Sequence, residues 1–150
     1  MRLLFLKTNK KFLQKPCVPC ETYEDGVSIG QRLIFAKHTG PIKKGRPVGI
    51  AANQIGINKR VFIALLDGNW ECFVNPEIIK KSKTVINEVE GCLSIPGKQF
   101  RTMRYEWIKI KSLGKKSKKY TGQNAIIIQH ELDHLNGRLC NQGGLYGQEK

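Results

Sequence analysis

The chain has 150 residues, 40% of them apolar, and carries 26 Lys and Arg against 12 Asp and Glu, a formal net charge of +14. That length suits a single domain, 1–150, with a real hydrophobic core, and no apolar run comes near the ~18 residues that a membrane span needs. The five cysteines, an odd number without a secretion signal, argue against a disulfide framework.

The opening stretch, Met1 to Lys7, has too short an apolar run for a signal peptide, so a cytosolic location is expected. Cys17-Val18-Pro19-Cys20 has the Cys-x-x-Cys form, but no second such pair follows, and a chance spacing is the plainer reading. Ser28 to Lys37 is predicted as a short helix, with Ile29, Leu33 and Ala36 on one face and Gly40 just beyond as a stop. Residues 38–47, rich in Gly, Pro and Lys, are expected to form a surface loop. Val48 to Gly56 is a run of small residues around Gln54, suited to a tight turn followed by a packed helix start. Strands are expected at 61–66, 72–74, 78–79, 85–89 and 107–113. In the last of these, Ile108 and Ile110 alternate with Lys109 and Lys111, as in a strand with one wet face. Gly114 marks a turn, so 118–120 should return as a hairpin partner. The final strong element, Asn124 to Asn136, is an apolar helix ended by Gly137, and it should be central and buried. The fold class is therefore α+β, with antiparallel sheets wrapped around a central C-terminal helix. Arg138 to Lys150 yields no further element.

That core helix contains His130-Glu131-Leu132-Asp133-His134. Histidines at i and i+4 share a face and can ligate one metal ion. Glu131 is offset by about 100° and can reach a water at the metal without being a ligand. Burying two histidines and two acids among Ile126, Ile127, Ile128, Leu132 and Leu135 is costly unless something pairs them. Two histidines leave a third protein ligand to be found. His38, an acid elsewhere, or Cys92 could supply it. Cys92 fits best, because a thiolate beside Gly91 at a strand end can approach a metal with little obstruction.

Three segments together resemble the peptide deformylase family, whose Gly-x-Gly-x-Ala-Ala-x-Gln, Glu-Gly-Cys-Leu-Ser and His-Glu-x-x-His boxes occur in that order. Here they read as Pro47 to Gln54, Glu90 to Ser94 and His130 to His134, and Pro47 stands where the first box usually has Gly. The likeness runs from about Leu13 through Gly137, in the compact form of the family that lacks a long C-terminal helix, a form that includes bacteriophage members.

The resemblance implies a hydrolase of the bacterial cytoplasm, or of a phage-infected host, that removes the formyl group from the N-terminal methionine of nascent polypeptides. Cys92, His130 and His134 would bind one divalent ion, ferrous iron by family habit, with zinc, nickel or cobalt able to substitute. Hydroxide at the metal would attack the formyl carbon, with Glu131 as general base and then acid. The backbone N–H of Leu93 and the amide of Gln54 would complete an oxyanion hole. Substrate would lie extended beside Val48, Gly49, Ile50 and Gly91, its methionine in a pocket of Val48, Ile126, Ile127 and the His130 ring. Glu90 and Arg104 would pair as a buried support for the Cys92 loop.

Two other functions fit parts of the chain. A peptidase of the His-Glu-x-x-His type would cleave internal peptide bonds, but it has no use for the Glu90 to Ser94 box or for Gln54. A basic RNA- or ribosome-binding protein with a structural metal site would explain the lysines, but such a site needs no Glu131. The basic clusters Lys43/Lys44/Arg46 and Lys115 to Lys119 fit a diffuse attraction to ribosomal RNA. A solvated lysine-rich surface accounts for the charge equally well.

Overall fold

The computed structural model describes residues 2–144; the end of the expected element-free tail, 145–150, lies outside them. Among the described residues four helices and eight strands follow one another: α1 (Leu6–Leu13), α2 (Tyr23–Ala36), α3 (Gly40–Lys44), β1 (Gly49–Ala51), β2 (Val61–Leu66), β3 (Asn69–Val74), β4 (Glu77–Lys81), β5 (Val85–Cys92), β6 (Ile95–Tyr105), β7 (Trp107–Lys111), β8 (Lys118–Thr121) and α4 (Gly122–Leu135). Short 3₁₀ turns at Ala52–Ile55 and Cys140–Gln142 complete the path.

The strands form three antiparallel groups, β1-β2-β3, β4-β7-β8 and β5-β6. β2 and β3 join through Asp67-Gly68, both with positive φ (50° and 83°), the two-residue turn whose twist matches that of antiparallel strands. In β7, Ile108 and Ile110 point inward and are buried while Trp107, Lys109 and Lys111 face out, as the alternation predicts.

α4 is the axis of the molecule. Ten of its residues are buried, from Ala125 to Leu135, so it has no broad wet face. One core joins Ala125, Ile127, Ile128, Leu132 and Leu135 to Phe62, Phe73, Ile108, Ile110 and Tyr120. A second core lies around α2, β1 and β2, with Leu33, Ala36, Ile50, Val61 and Ile63. The end of α4 is tied down by Arg60, whose Nη1 donates to the Leu135 carbonyl at 3.0 Å. Gly137 (φ 76°) ends the helix where a side chain would strike the Gln14 carbonyl.

The α+β class and the buried C-terminal helix are as expected from the pattern. Several boundaries differ. α2 starts five residues earlier than the periodicity suggests, because Thr22 Oγ1 accepts from the Asp25 N–H at 3.1 Å and caps it, with Glu24 and Asp25 in the first turn. The 38–47 stretch is not all loop: Pro41 at the first turn favours the short helix α3. Val48 to Gly56 is an edge strand followed by a 3₁₀ turn that ends on Gly56 (φ 85°). β6, eleven residues long, and α1 were not predicted. β6 buries Thr102 and Arg104, so its inward positions are polar and conceal the period-2 signal.

Candidate metal centre and cleft

The cleft lies where α4 meets the ends of β1 and the β5-β6 hairpin. It has a volume of about 1100 Å³, and its lining includes Val48, Gly49, Gln54, Gly91, Cys92, Leu93, Ile126, Ile127, His130 and Glu131. Ile50 is the expected cleft residue whose side chain does not reach it; the residue is fully buried in the second core. Its backbone belongs to β1, which among the described residues has a strand partner on one side only.

Cys92, His130 and His134 come together, with their donor atoms all within 4.8 Å of one another. Cys92 Sγ lies 3.4 Å from His134 Nε2. A tetrahedral centre with metal–sulfur bonds of about 2.3 Å and metal–nitrogen bonds of about 2.0–2.1 Å sets such a pair about 3.5 Å apart, so the spacing fits one ion. His38 is excluded from this group: it sits exposed at the end of α2, within 2.9 Å of Lys37 Nζ.

The electrostatics favour a cation at this point. Burial alone would lower the pKa of His130, but hydrogen bonds to Cys92 and Glu90 and the charge of Glu131 outweigh it and raise the value to about 10. The groups that hold a proton there would equally hold a metal ion. His134 is pushed down by burial and stays neutral, the form in which imidazole ligates.

An ionic network fixes the rings. His130 Nδ1 donates to Glu90 Oε1 at 2.7 Å, which leaves Nε2 free as the ligand atom. Arg104, fully buried, donates to both Glu90 oxygens at 2.6 Å and to Asp133 Oδ2 at 2.6 Å. Thr102 Oγ1 also donates to Glu90 Oε2, at 2.5 Å. Burial would raise Glu90, yet its bonds to Arg104 and His130 hold it well below the usual carboxylate range. Asn53 Nδ2 donates to the His134 carbonyl at 2.7 Å, joining the 3₁₀ turn to the helix.

Glu131 is 3% exposed, and its Oε1 is buried with no hydrogen-bond partner. Burial raises its pKa to about 7. A Cβ on Gly49 would come within 2.6 Å of its Oε2, so only glycine leaves this carboxylate room. Gln54 Oε1 accepts from the Ala51 N–H at 3.0 Å, which aims Nε2 at Ser94 Oγ (3.2 Å) and Cys92 Sγ (3.8 Å). Leu93 packs beneath Gly45, where a side chain would collide with Leu93 Cδ2.

Reading the sequence missed Asp133, Ser94, Asn53 and Thr102 as parts of this assembly. It also missed Leu3, Phe5 and Gln123 in the cleft wall. That Asp133, a second buried acid beside Glu131, needs a partner is legible in the helix; that the partner is Arg104 is not. Cys17 and Cys20 are free and buried, and neither joins the metal-spaced group among the described residues.

A family model described as polypeptide deformylase matches residues 3–142. Peptide deformylase 1 of Clostridium perfringens is 44% identical over 135 residues, 86% of this chain and 88% of that protein. With four other curated relatives the matched stretch is shorter and spans between 49% and 65% of their length. Among solved structures, peptide deformylase from Thermotoga maritima superposes with a TM-score of 0.80 at 29% identity, covering 92% of each chain. A probable peptide deformylase from synechococcus phage S-SSM7 gives 0.80 at 29% identity, covering 93% of this chain and 96% of that one.

Proposed function

Because the chain belongs to the polypeptide deformylase family, we propose that it is a peptide deformylase, a single catalytic domain that hydrolyses the formyl amide of an N-formylmethionyl polypeptide and releases formate. The observation that carries this reading is an unpartnered buried carboxylate, Glu131, beside three metal-spaced donors in an open cleft. Cys92, His130 and His134 would hold one divalent ion. When bound, that ion would supply Lewis-acid polarisation of the formyl oxygen and a water acidic enough to attack near neutrality. The soft thiolate with two imidazoles accepts ferrous iron, zinc, nickel or cobalt, and ferrous iron is the native ion we propose.

Glu131 takes the proton of the attacking water and returns it to the leaving amine. A carboxylate raised to about 7 by burial is suited to both steps. Gln54 Nε2 and the Leu93 N–H donate to the negative charge that develops on the formyl oxygen. The substrate backbone adds to the free side of β1 at Val48 to Ile50 and to Gly91, while methionine enters between Val48, Ile126, Ile127 and the His130 ring. Glu90, Arg104 and Asp133 touch no reacting atom; they hold His130 in its ligating orientation.

The expected partners are formylated nascent chains in the cytoplasm, with a diffuse, salt-sensitive attraction of the Lys43/Lys44/Arg46 and Lys115 to Lys119 clusters to ribosomal RNA. Among the described residues no helix is long and apolar enough to cross a membrane. Protein loaded anaerobically with Fe²⁺ should release formate from a formyl-Met tripeptide and leave the same peptide's internal bonds intact. Internal cleavage would instead establish a peptidase. Co-sedimentation with ribosomes that fades between low and moderate salt would support the attraction to RNA.

A further inference from the structure

The outer face of the β4-β7-β8 sheet carries a feature that deformylation does not use. Lys80 lies directly opposite Lys109, and Lys109 directly opposite Lys119, so three lysines form one row across three adjacent strands. Strands sit about 4.8 Å apart, so the row compresses three positive charges into about 10 Å. Like charges directly opposite one another destabilise a sheet. Among the described residues none of the three has a carboxylate partner. The acid on the same face, Glu77, lies opposite Lys111 instead.

Next to the row is Trp107, opposite Thr121, with the Lys119 ammonium 4.3 Å from its ring centre. The other side of this sheet, Ile108, Ile110 and Tyr120, is buried in the core with α4, so the lysine face points away from the cleft. A ligand on it would leave the cleft open.

We propose that this face is a binding site for a single-stranded polynucleotide, with phosphates on the Lys80-Lys109-Lys119 row and a base against the Trp107 ring. A flat sheet that offers a line of cations beside an aromatic ring is the arrangement that single strands occupy, phosphates giving affinity and stacking giving purchase. Lys119 covers the ring with its charge; a phosphate draws the ammonium off and frees the ring face. The proposal sharpens the diffuse attraction above from a sign of charge to a site, and the experiment separates the two.

The test uses the metal-loaded protein carrying Trp70→Phe, which leaves Trp107 as the one tryptophan of the original two. A labelled 12-nucleotide RNA, the same DNA single strand, and vesicles of anionic phospholipid are titrated at low and moderate salt. Lys80→Gln/Lys109→Gln/Lys119→Gln is compared with Lys7→Gln/Lys10→Gln/Lys15→Gln, which removes the same charge from another part of the surface. The sheet triple variant should bind RNA at least about tenfold more weakly than the control, with a salt slope lower by about 2, at about 0.7 for each phosphate no longer neutralised. Trp107 emission should change on binding, and formyl-Met peptide turnover should be the same in all variants. RNA bound well ahead of DNA would identify ribonucleic acid as the partner; equal binding would leave the single-stranded phosphate backbone as the recognised chemistry. Equal weakening in both triple variants would overturn the site and leave only diffuse attraction. Absent RNA binding at low salt would overturn both. Binding to vesicles but not to RNA, or RNA binding that leaves Trp107 emission untouched, would also overturn the site.

Discussion

The two walls of the cleft hold their ligands by different means. α4 presents His130 and His134 from a helix buried along most of its length, so packing against Phe62, Ile108 and Tyr120 fixes where the histidines stand. The β5-β6 hairpin presents Cys92 from a pair of strands with no third strand beside them among the described residues, and much of its surface is wet. At its far end the hairpin is held to the helix by Tyr105, which packs in the α4 core and exchanges two hydrogen bonds with Gln129, but nearer Cys92 the joint is ionic: Arg104 reaches from β6 to Glu90 on β5 and to Asp133 on α4. One wall is positioned by apolar burial, and the ligand end of the other by a buried charge network. Substitutions in the two walls should therefore fail differently.

The largest effect is expected on the helix wall, where Glu131→Ala should keep the ion and lose turnover by about 10²–10⁴-fold. Metal content and formate release are measured on the same sample. Full metal with normal turnover would remove the role proposed for Glu131. Cys92→Ala, on the hairpin wall, should lose metal and activity together, because one of three donors is gone. Metal that stays stoichiometric after dialysis would require a donor other than the thiolate.

How the sequence can be read follows the same division. α4 and β2 are plain in the chain because burial on nearly every side writes continuous apolar runs into the sequence, and the histidine pair stands one helical turn apart within the first; β2 spans 61–66 as expected. The hairpin wall is less visible. β6 turns Thr102 and Arg104 inward, so a strand that carries half of the support reads as a polar loop. Cys92 emerged from the glycine beside it at a strand end and Glu90 from the order of three boxes, neither from periodicity. The helix shows that Asp133 needs a partner but not which one, because Arg104 is 29 residues away and an ion pair across that distance leaves no local pattern.

Arg104→Met tests the ionic joint. Removing the guanidinium leaves Glu90 and Asp133 buried without their partner, which typically costs about 3–5 kcal/mol. For a chain of this length that is roughly 6–20 °C in Tm. The metal site should loosen as well, since His130 then depends on a carboxylate whose own anchor is gone. Adding Glu90→Gln and Asp133→Asn should recover part of the stability, because neutral amides are cheaper to bury than lone carboxylates. A single variant that melts with the parent would show that packing, and not charge, joins hairpin to helix.

The smallest of these changes, a single methyl group on Gly49, tests whether the helix wall depends on its neighbour as closely as the distances suggest. In Gly49→Ala the new Cβ would meet Glu131 Oε2 at 2.6 Å and its Cγ at 2.9 Å. Such contacts are too short to persist, so one partner must move. β1 is held by its register with β2, Gly49 opposite Ala64 and Ile50 opposite Ile63, whereas Glu131 ends in an oxygen with no hydrogen bond to keep it in place. The carboxylate should therefore yield, and the strand should not. Its displacement leaves the three donors and the Arg104 network intact, so metal content and Tm should stay close to the parent values. A misplacement of about 1 Å in a catalytic group can cost up to about 10²-fold, and the loss should fall on kcat. If the glycine served only to let the substrate backbone approach β1, KM would rise with kcat unchanged. The split between the two constants decides which neighbour of Gly49, the carboxylate or the incoming peptide, requires it to be glycine.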